Sequence, residues 1–190
     1  MASWANIANM ALFRLGSQPL VNYETQVGVP ASLCREFMQR AVNDVLIEHP
    51  WTCAKGRQRL AALSDAPEGE EWEYQYQLPA NPRCLSVRKT DPDSPWERQG
   101  LVLLSNESEL TLIYTKEITN PAELDDELDT VISLRLAVLI GPKIAGTEPN
   151  TIIKLEVIYE KELLGAKGAN ARSASKKPAD PSRGWWDEAG

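Results

Sequence analysis

The sequence predicts an α+β chain: a four-helix bundle with an inserted small antiparallel β module and an extended C-terminal tail. Three observations predict it. Apolar residues recur at helical spacing over residues 4–48 and again after residue 120. Between them lie short alternating runs punctuated by Pro79, Pro82, Pro92, Pro95, Gly100 and Asn106. Beyond Gly165 the composition turns polar, with too little apolar surface to fold alone. The boundaries read 1–55 for the first half of the bundle and 56–118 for the β module. The second half takes 119–165, and the tail 166–190.

The first helix starts at Ser3, a side chain able to cap it, and carries Trp4, Ile7, Ala8, Ala11 and Leu15 as its apolar stripe. Gly16 supplies the left-handed residue that ends it. Residues 17–29 form a loop, and Pro30 stands where a first-turn proline is tolerated. Leu33, Phe37, Ala41, Val45 and Glu48 share one face of the second helix, widened by Cys34, Met38 and Leu46. Pro50 denies His49 a comfortable helical conformation and stops the element.

Residues 72–78 alternate bulky and polar side chains with the two-residue period of a half-buried strand. Residues 84–88, 101–104 and 110–115 are short runs of strand-forming composition, and 57–62 supplies one more. Five or six such strands make a small antiparallel sandwich or open barrel, read as an insertion.

Helical grammar resumes at Asn120-Pro121-Ala122-Glu123, which has the form of a capping box with proline at the first helical position. Glu123, Asp125, Asp126, Glu127 and Asp129 would then lie in the first two turns, where the helix dipole favours carboxylates. The rest of this helix is apolar nearly all round and must be covered on several sides. Gly141-Pro142 kinks or ends it. A last helix runs from about Pro149 to Gly165, with Ile152, Leu155, Tyr159 and Leu163 on one face.

At 190 residues the chain fits one domain, or one carrying a smaller insert. Cys34, Cys53 and Cys84 are odd in number and widely spaced, so neither a disulfide framework nor a zinc site is readable; they suit a reducing cytoplasm. The first residues lack a basic region followed by an apolar run, and the longest apolar stretch, 131–140, is too short to span a bilayer. A formal charge of −7 has the wrong sign for clinging to phosphates. It suits a surface past which nucleic acid slides.

No constellation in the sequence promises chemistry, and the chain is read as no enzyme, with no cofactor and no metal. The carboxylates at 123–129 read as a helix start, and those at 65–73 as solvated. His49, the single histidine, reads as a structural residue beside Trp51. Arg57, Arg59, Arg83, Arg88, Lys89 and Arg98 make the β region partly basic, with Tyr74, Tyr76 and Trp96 as stacking groups for nucleic acid. Glu70, Glu71, Glu73, Asp91, Asp93 and Glu97 in the same region oppose that reading.

Trp185 and Trp186 are the candidate partner-binding residues, anchors of the kind that concentrate interface energy. Each would bury about 200 Å², worth about 5 kcal/mol. Ordering the 17 residues from 174 to 190 costs roughly 1 kcal/mol or more apiece, which exceeds the gain. Either only the tip docks, or the backbone also pairs along its length.

With these pieces in place, the chain resembles the head-to-tail adaptor of short-tailed bacteriophages, the tail tubular protein A family. Ala11 to Gly16, Ala-Leu-Phe-Arg-Leu-Gly, is similar to that family's ALxRLG segment. His49-Pro50-Trp51 with Ala54 is similar to its HPWxFA signature, followed by Arg59, Leu60 and Ala61-Ala62-Leu63. Tyr76-Gln77-Leu78-Pro79 is similar to its YxLP strand. Cys53 departs from the aromatic expected there, and the segment beyond Gly165 has no counterpart.

The resemblance implies a homo-oligomer, a ring of twelve subunits in the virion, made in the host cytoplasm. The ring would sit between the portal protein and the tail nozzle protein, and DNA would pass through its lumen without specific binding. A ring wall built from chains of charge −7 would repel the phosphate backbone and leave the duplex mobile. The apolar third helix and the aromatic tail both motivate this expectation. The alternative is a monomeric binding or regulatory module whose β insert holds a ligand or nucleic acid.

Overall fold

The computed structural model describes residues 3–67, 69, 71–144, 146 and 148–174. Helix α1 spans Trp4–Arg14. The Ser3 side chain accepts from the Asn6 N–H at 3.1 Å, and Gly16 follows at φ 68°, so both ends form as the sequence predicts. Helix α2 spans Val29–Ile47 and buries Leu33, Cys34, Met38, Ala41, Val42, Val45 and Leu46. Glu48 leaves the predicted apolar face and stands 3.8 Å from Lys167 in an ion pair.

Among the described residues six strands follow: β1 Lys55–Leu60, β2 Tyr74–Gln77, β3 Cys84–Asp91, β4 Trp96–Gln99, β5 Val102–Ser105 and β6 Leu110–Lys116. They form two antiparallel three-stranded sheets, ordered β1-β6-β3 and β2-β5-β4. Strand β4, Trp-Glu-Arg-Gln, carries no β-branched residue and escaped the pattern; it is made by its hairpin with β5 across Gly100. Leu60, Tyr76, Cys84, Leu103, Leu112 and Tyr114 come from both sheets and share one core. The Tyr114 ring lies directly on Gly56, where a Cβ would stand 2.6 Å from Cζ. Bare backbone in β1 is what admits the ring.

The capping box predicted at Asn120 does not start a helix. Pro121–Glu123 is one 3-10 turn, capped by the Asn120 side chain on the Ala122 N–H at 3.1 Å. The Glu123 carboxylate pairs with Lys116 at 2.6 Å instead of returning to the cap. The backbone then extends through Leu124 and Asp125, which lets Leu124 bury before helix α3 begins at Asp126. Only Asp126, Glu127 and Asp129 of the five carboxylates fall in its first turn.

Helix α3, Asp126–Ile140, lies at the centre and is buried nearly all round. Helix α4 spans Pro149–Ser173. Helices α1, α2 and α4 all pack on α3, which is why α3 tolerates so little polarity. Its cover comes from the same chain, so α3 gives no ground for a neighbouring subunit. Helix α4 also corrects the predicted tail. The stripe of Ile152, Leu155, Tyr159 and Leu163 continues through Ala166 and Asn170, both buried, and packing carries the helix past Gly165 and Gly168. Residues 166–173 are therefore helix.

Polar ties bind the helices to one another. Arg135 on α3 donates through Nε and Nη2 to one Asp44 oxygen on α2, at 2.9 and 2.7 Å. Its guanidinium carbon stands 5.9 Å from the centre of the Tyr159 ring on α4. Arg14 on α1 donates to Ser133 Oγ on α3 at 2.8 Å. No helix among the described residues is long and apolar enough to cross a membrane.

Candidate functional site at the joint between helices and β module

The segment that follows α2, His49-Pro50-Trp51-Thr52, is where three parts of the chain meet. Pro50 ends the helix, and Trp51 then folds back under it. The Trp51 indole N–H donates to the Val45 carbonyl at 2.8 Å, joining the Glu48 N–H, which reaches the same oxygen at 3.3 Å. The His49 ring meets Trp51 edge-on, with centroids 4.8 Å apart.

Strand β3 reaches the same place through Arg88. Its Nη2 faces the Leu46, Ile47 and His49 carbonyls at 3.3, 2.9 and 3.1 Å, and Nε donates to Thr115 Oγ1 at 2.7 Å. One guanidinium thus closes the negative end of α2 and fixes the β module against it. Burial pulls the Arg88 guanidinium below its ordinary value.

Helix α4 arrives through Asn170. Its Oδ1 accepts the Thr52 N–H at 2.9 Å and the Thr52 hydroxyl at 3.0 Å. A backbone N–H can only donate, so the amide nitrogen must face His49 Nε2, 3.1 Å away. Nε2 is therefore the acceptor, and the His49 proton sits on Nδ1. Burial pushes the His49 pKa down, helped by the charges of Lys167 and Arg88.

The sign of the resulting pH dependence follows from that depression. The folded state binds fewer protons than the unfolded chain, so this contribution is complete above the ordinary histidine value, about 6.5. It is lost as the pH falls through the lowered folded value. Asp129 acts oppositely at lower pH, because burial and then Asp126 raise its carboxyl. Thermal melts from pH 8 to 5, compared between the wild type and His49→Gln, should therefore converge as the pH falls. Parallel curves would refute the assignment.

Around this joint lies a cleft of about 500 Å³, walled by Pro50, Trp51, Ile113 and Tyr114, with Lys55 and Arg88 beside them and Ala174 at one end. The geometry supplies hydrogen-bonded closure and an apolar recess. It aligns no nucleophile with a base: Nε2 of the single histidine is committed to Asn170. Burial pushes the Cys34 and Cys53 thiols up to about 11, so neither is a thiolate at neutral pH. Among the described residues no three His, Cys, Asp or Glu side chains converge as a metal would require.

Most basic residues of the β module are engaged internally. Arg57 pairs with Asp91, Arg59 with Glu109, Arg83 with Glu117 and Lys89 with Asp93, at 2.9, 2.7, 3.1 and 3.4 Å. Arg98 donates to the Gly100 and Leu85 carbonyls. Tyr76 is buried, with its hydroxyl donating to the Glu107 carbonyl, and Tyr74 and Trp96 pack against the β core. The stacking face sought for nucleic acid is thus largely consumed within the module. Trp185 and Trp186 lie outside the described residues.

The sequence marked His49 and Trp51, took Arg88 only as part of a basic nucleic-acid surface, and missed Asn170. Asn170 was detectable as the next residue of the α4 stripe, four beyond Ala166. Arg88 carries no local signal, since its partners on α2 are about forty residues away. Set against family models and curated proteins, the chain matches none.

Proposed function

We propose that the protein is a structural subunit of a virion, a ring-forming adaptor between portal and tail nozzle that lines part of the DNA channel. It acts by shape and contact. The observation that carries this reading is two sets of bare apolar side chains on different elements. Phe13 on α1 is 82% exposed, with Val21 and Val27 on the loop after it bare as well. On α4, Val157 and Leu164 are 62% and 72% exposed, and Ile153 joins them along one side by helical spacing. A closed ring needs two different patches per subunit, one meeting the other on the next copy. Patches of this kind mark interaction surfaces.

The resemblance of residues 11–16, 49–54 and 76–79 to the adaptor family supplies the rest: a dodecamer, portal and nozzle as partners, and DNA in the lumen without specific binding. Those segments lie at the end of α1 and just past it, at the joint, and in and just after β2. Trp185 and Trp186 would anchor the tail to a neighbour. A monomeric module holding ligand or nucleic acid on its β insert has less to stand on, since Arg57, Arg59, Arg83, Lys89 and Arg98 there are already engaged.

Native mass spectrometry and negative-stain imaging test the proposal, with and without portal protein. The wild type should form closed rings. The Val157→Glu/Leu164→Glu double variant should remain folded yet lose assembly by at least about tenfold in concentration, since charges replace an apolar contact. A wild-type chain that stays monomeric and ignores portal would overturn the reading.

A further inference from the structure

The cleft at the joint has a chemistry that the proposed ring does not use. Its walls combine an apolar recess, from Pro50, Trp51, Ile113 and Tyr114, with two cations, Lys55 and Arg88. Among the described residues no carboxylate lines it. Lys55 has no ion-pair partner among the described residues, unlike Arg57, Arg59, Arg83 and Lys89 of the same module. Arg88 uses Nε and Nη2 within the chain, which leaves Nη1 toward further acceptors. An occupant that fits has aromatic bulk followed directly by negative charge.

The chain carries such a segment: Trp185-Trp186-Asp187-Glu188. The last described residue before it is Ala174, which itself lines the cleft. Ten residues, 175–184, lie between, and a chain of that length reaches roughly 35 Å when extended, ample to return to the recess at Ala174. A tether this short keeps its end at an effective concentration near millimolar, so weak contacts suffice. Volume agrees as well: about 500 Å³ lies within the range of pockets that enclose aromatic ligands.

We propose that this cleft receives the Trp185–Glu188 segment of the same chain, the indoles entering the recess and the carboxylates meeting Lys55 and Arg88. The subunit would thereby hold its own anchor in reserve until a partner competes for it. The cleft is a docking site whether or not the chain forms rings.

Hydrogen exchange on the full-length protein tests this, read at residues 113–115 and 170–174. Trp185→Ala/Trp186→Ala should raise exchange there by about tenfold or more, as local opening becomes easier. Lys55→Glu should do the same, and Asp187→Lys/Glu188→Lys in the Lys55→Glu background should restore protection. Exchange unchanged in the tryptophan variant, which leaves every core residue intact, would overturn the proposal. So would wild-type protection that grows with protein concentration, since the occupant would then belong to a second copy. Ring formation, scored separately by native mass spectrometry, bears on the assembly reading alone.

Discussion

Trp51→Ala is expected to destabilise the protein by about 3–5 kcal/mol, the range for removing a large buried aromatic. Trp51 is 2% exposed and belongs to the helical core. Three losses coincide. The indole volume leaves a cavity beneath the end of α2, the Val45 carbonyl keeps only the longer bond from the Glu48 N–H, and His49 loses the ring it packs against. Trp51→Phe keeps much of the volume but not the N–H, and should lose about 1–2 kcal/mol of stability. Urea unfolding separates the cases: the midpoint should fall with little change in slope, because the denatured surface is nearly unaltered. A shift of less than about 1 kcal/mol for the alanine variant would show that Trp51 is not packed as described.

Arg88→Ala should have the next largest effect, about 2–4 kcal/mol, because it strips a charged donor from several carbonyls at once. The Leu46 and Ile47 carbonyls close α2, where the helix dipole is negative and no intrahelical partner exists, while the His49 carbonyl just beyond keeps the Trp51 N–H at 2.9 Å. Thr115 on β6 loses its partner too. The second consequence is mechanical. Arg88 joins the helical core to the β module, so its loss should separate one cooperative unfolding transition into two. Arg88→Lys should recover only part of the loss, since an ammonium cannot present a planar fork to carbonyls and hydroxyl together. Circular dichroism at 222 nm and tyrosine fluorescence from the β module would report the two parts. Coincident melts with unchanged stability would refute the clamp.

Much of the architecture was legible in short stretches of chain. Ser3, Gly16, Pro30 and Pro50 act on backbone within a few residues of themselves, and each did what local physics requires. The same locality explains the errors. Asn120-Pro121-Ala122-Glu123 has the spelling of a capping box, yet burial of Leu124 and the Lys116 ion pair ended it after one turn. Gly165 resembled a stop, but Ala166 and Asn170 had core to pack against, and α4 continued to Ser173. Strand β4 exists because β5 pairs with it, not because Trp-Glu-Arg-Gln favours a strand.

The candidate site divides in the same way. His49, Pro50 and Trp51 stand out in the sequence as a helix stop followed by an aromatic residue. Of the two residues that turn that stop into a joint, Asn170 shows only as one more step of the α4 stripe, and the role of Arg88 is invisible without the fold. Asn170 and His49 meet across 121 positions of sequence.

The order of the elements, their caps and breakers, the two-part grammar of helix and strand, and the acidic balance were determined by the sequence alone. Each depends on neighbours within about one helical turn or one strand pair. The tertiary structure decided which chain covers α3, where α4 ends, which carbonyls Arg88 closes and which apolar side chains stay bare. Those outcomes depend on groups brought together from distant positions, and no local pattern encodes a contact whose other half lies elsewhere. The apolar third helix shows the difference: its demand for cover is written in the sequence, while its supply by α1, α2 and α4 of the same chain is a fact of packing.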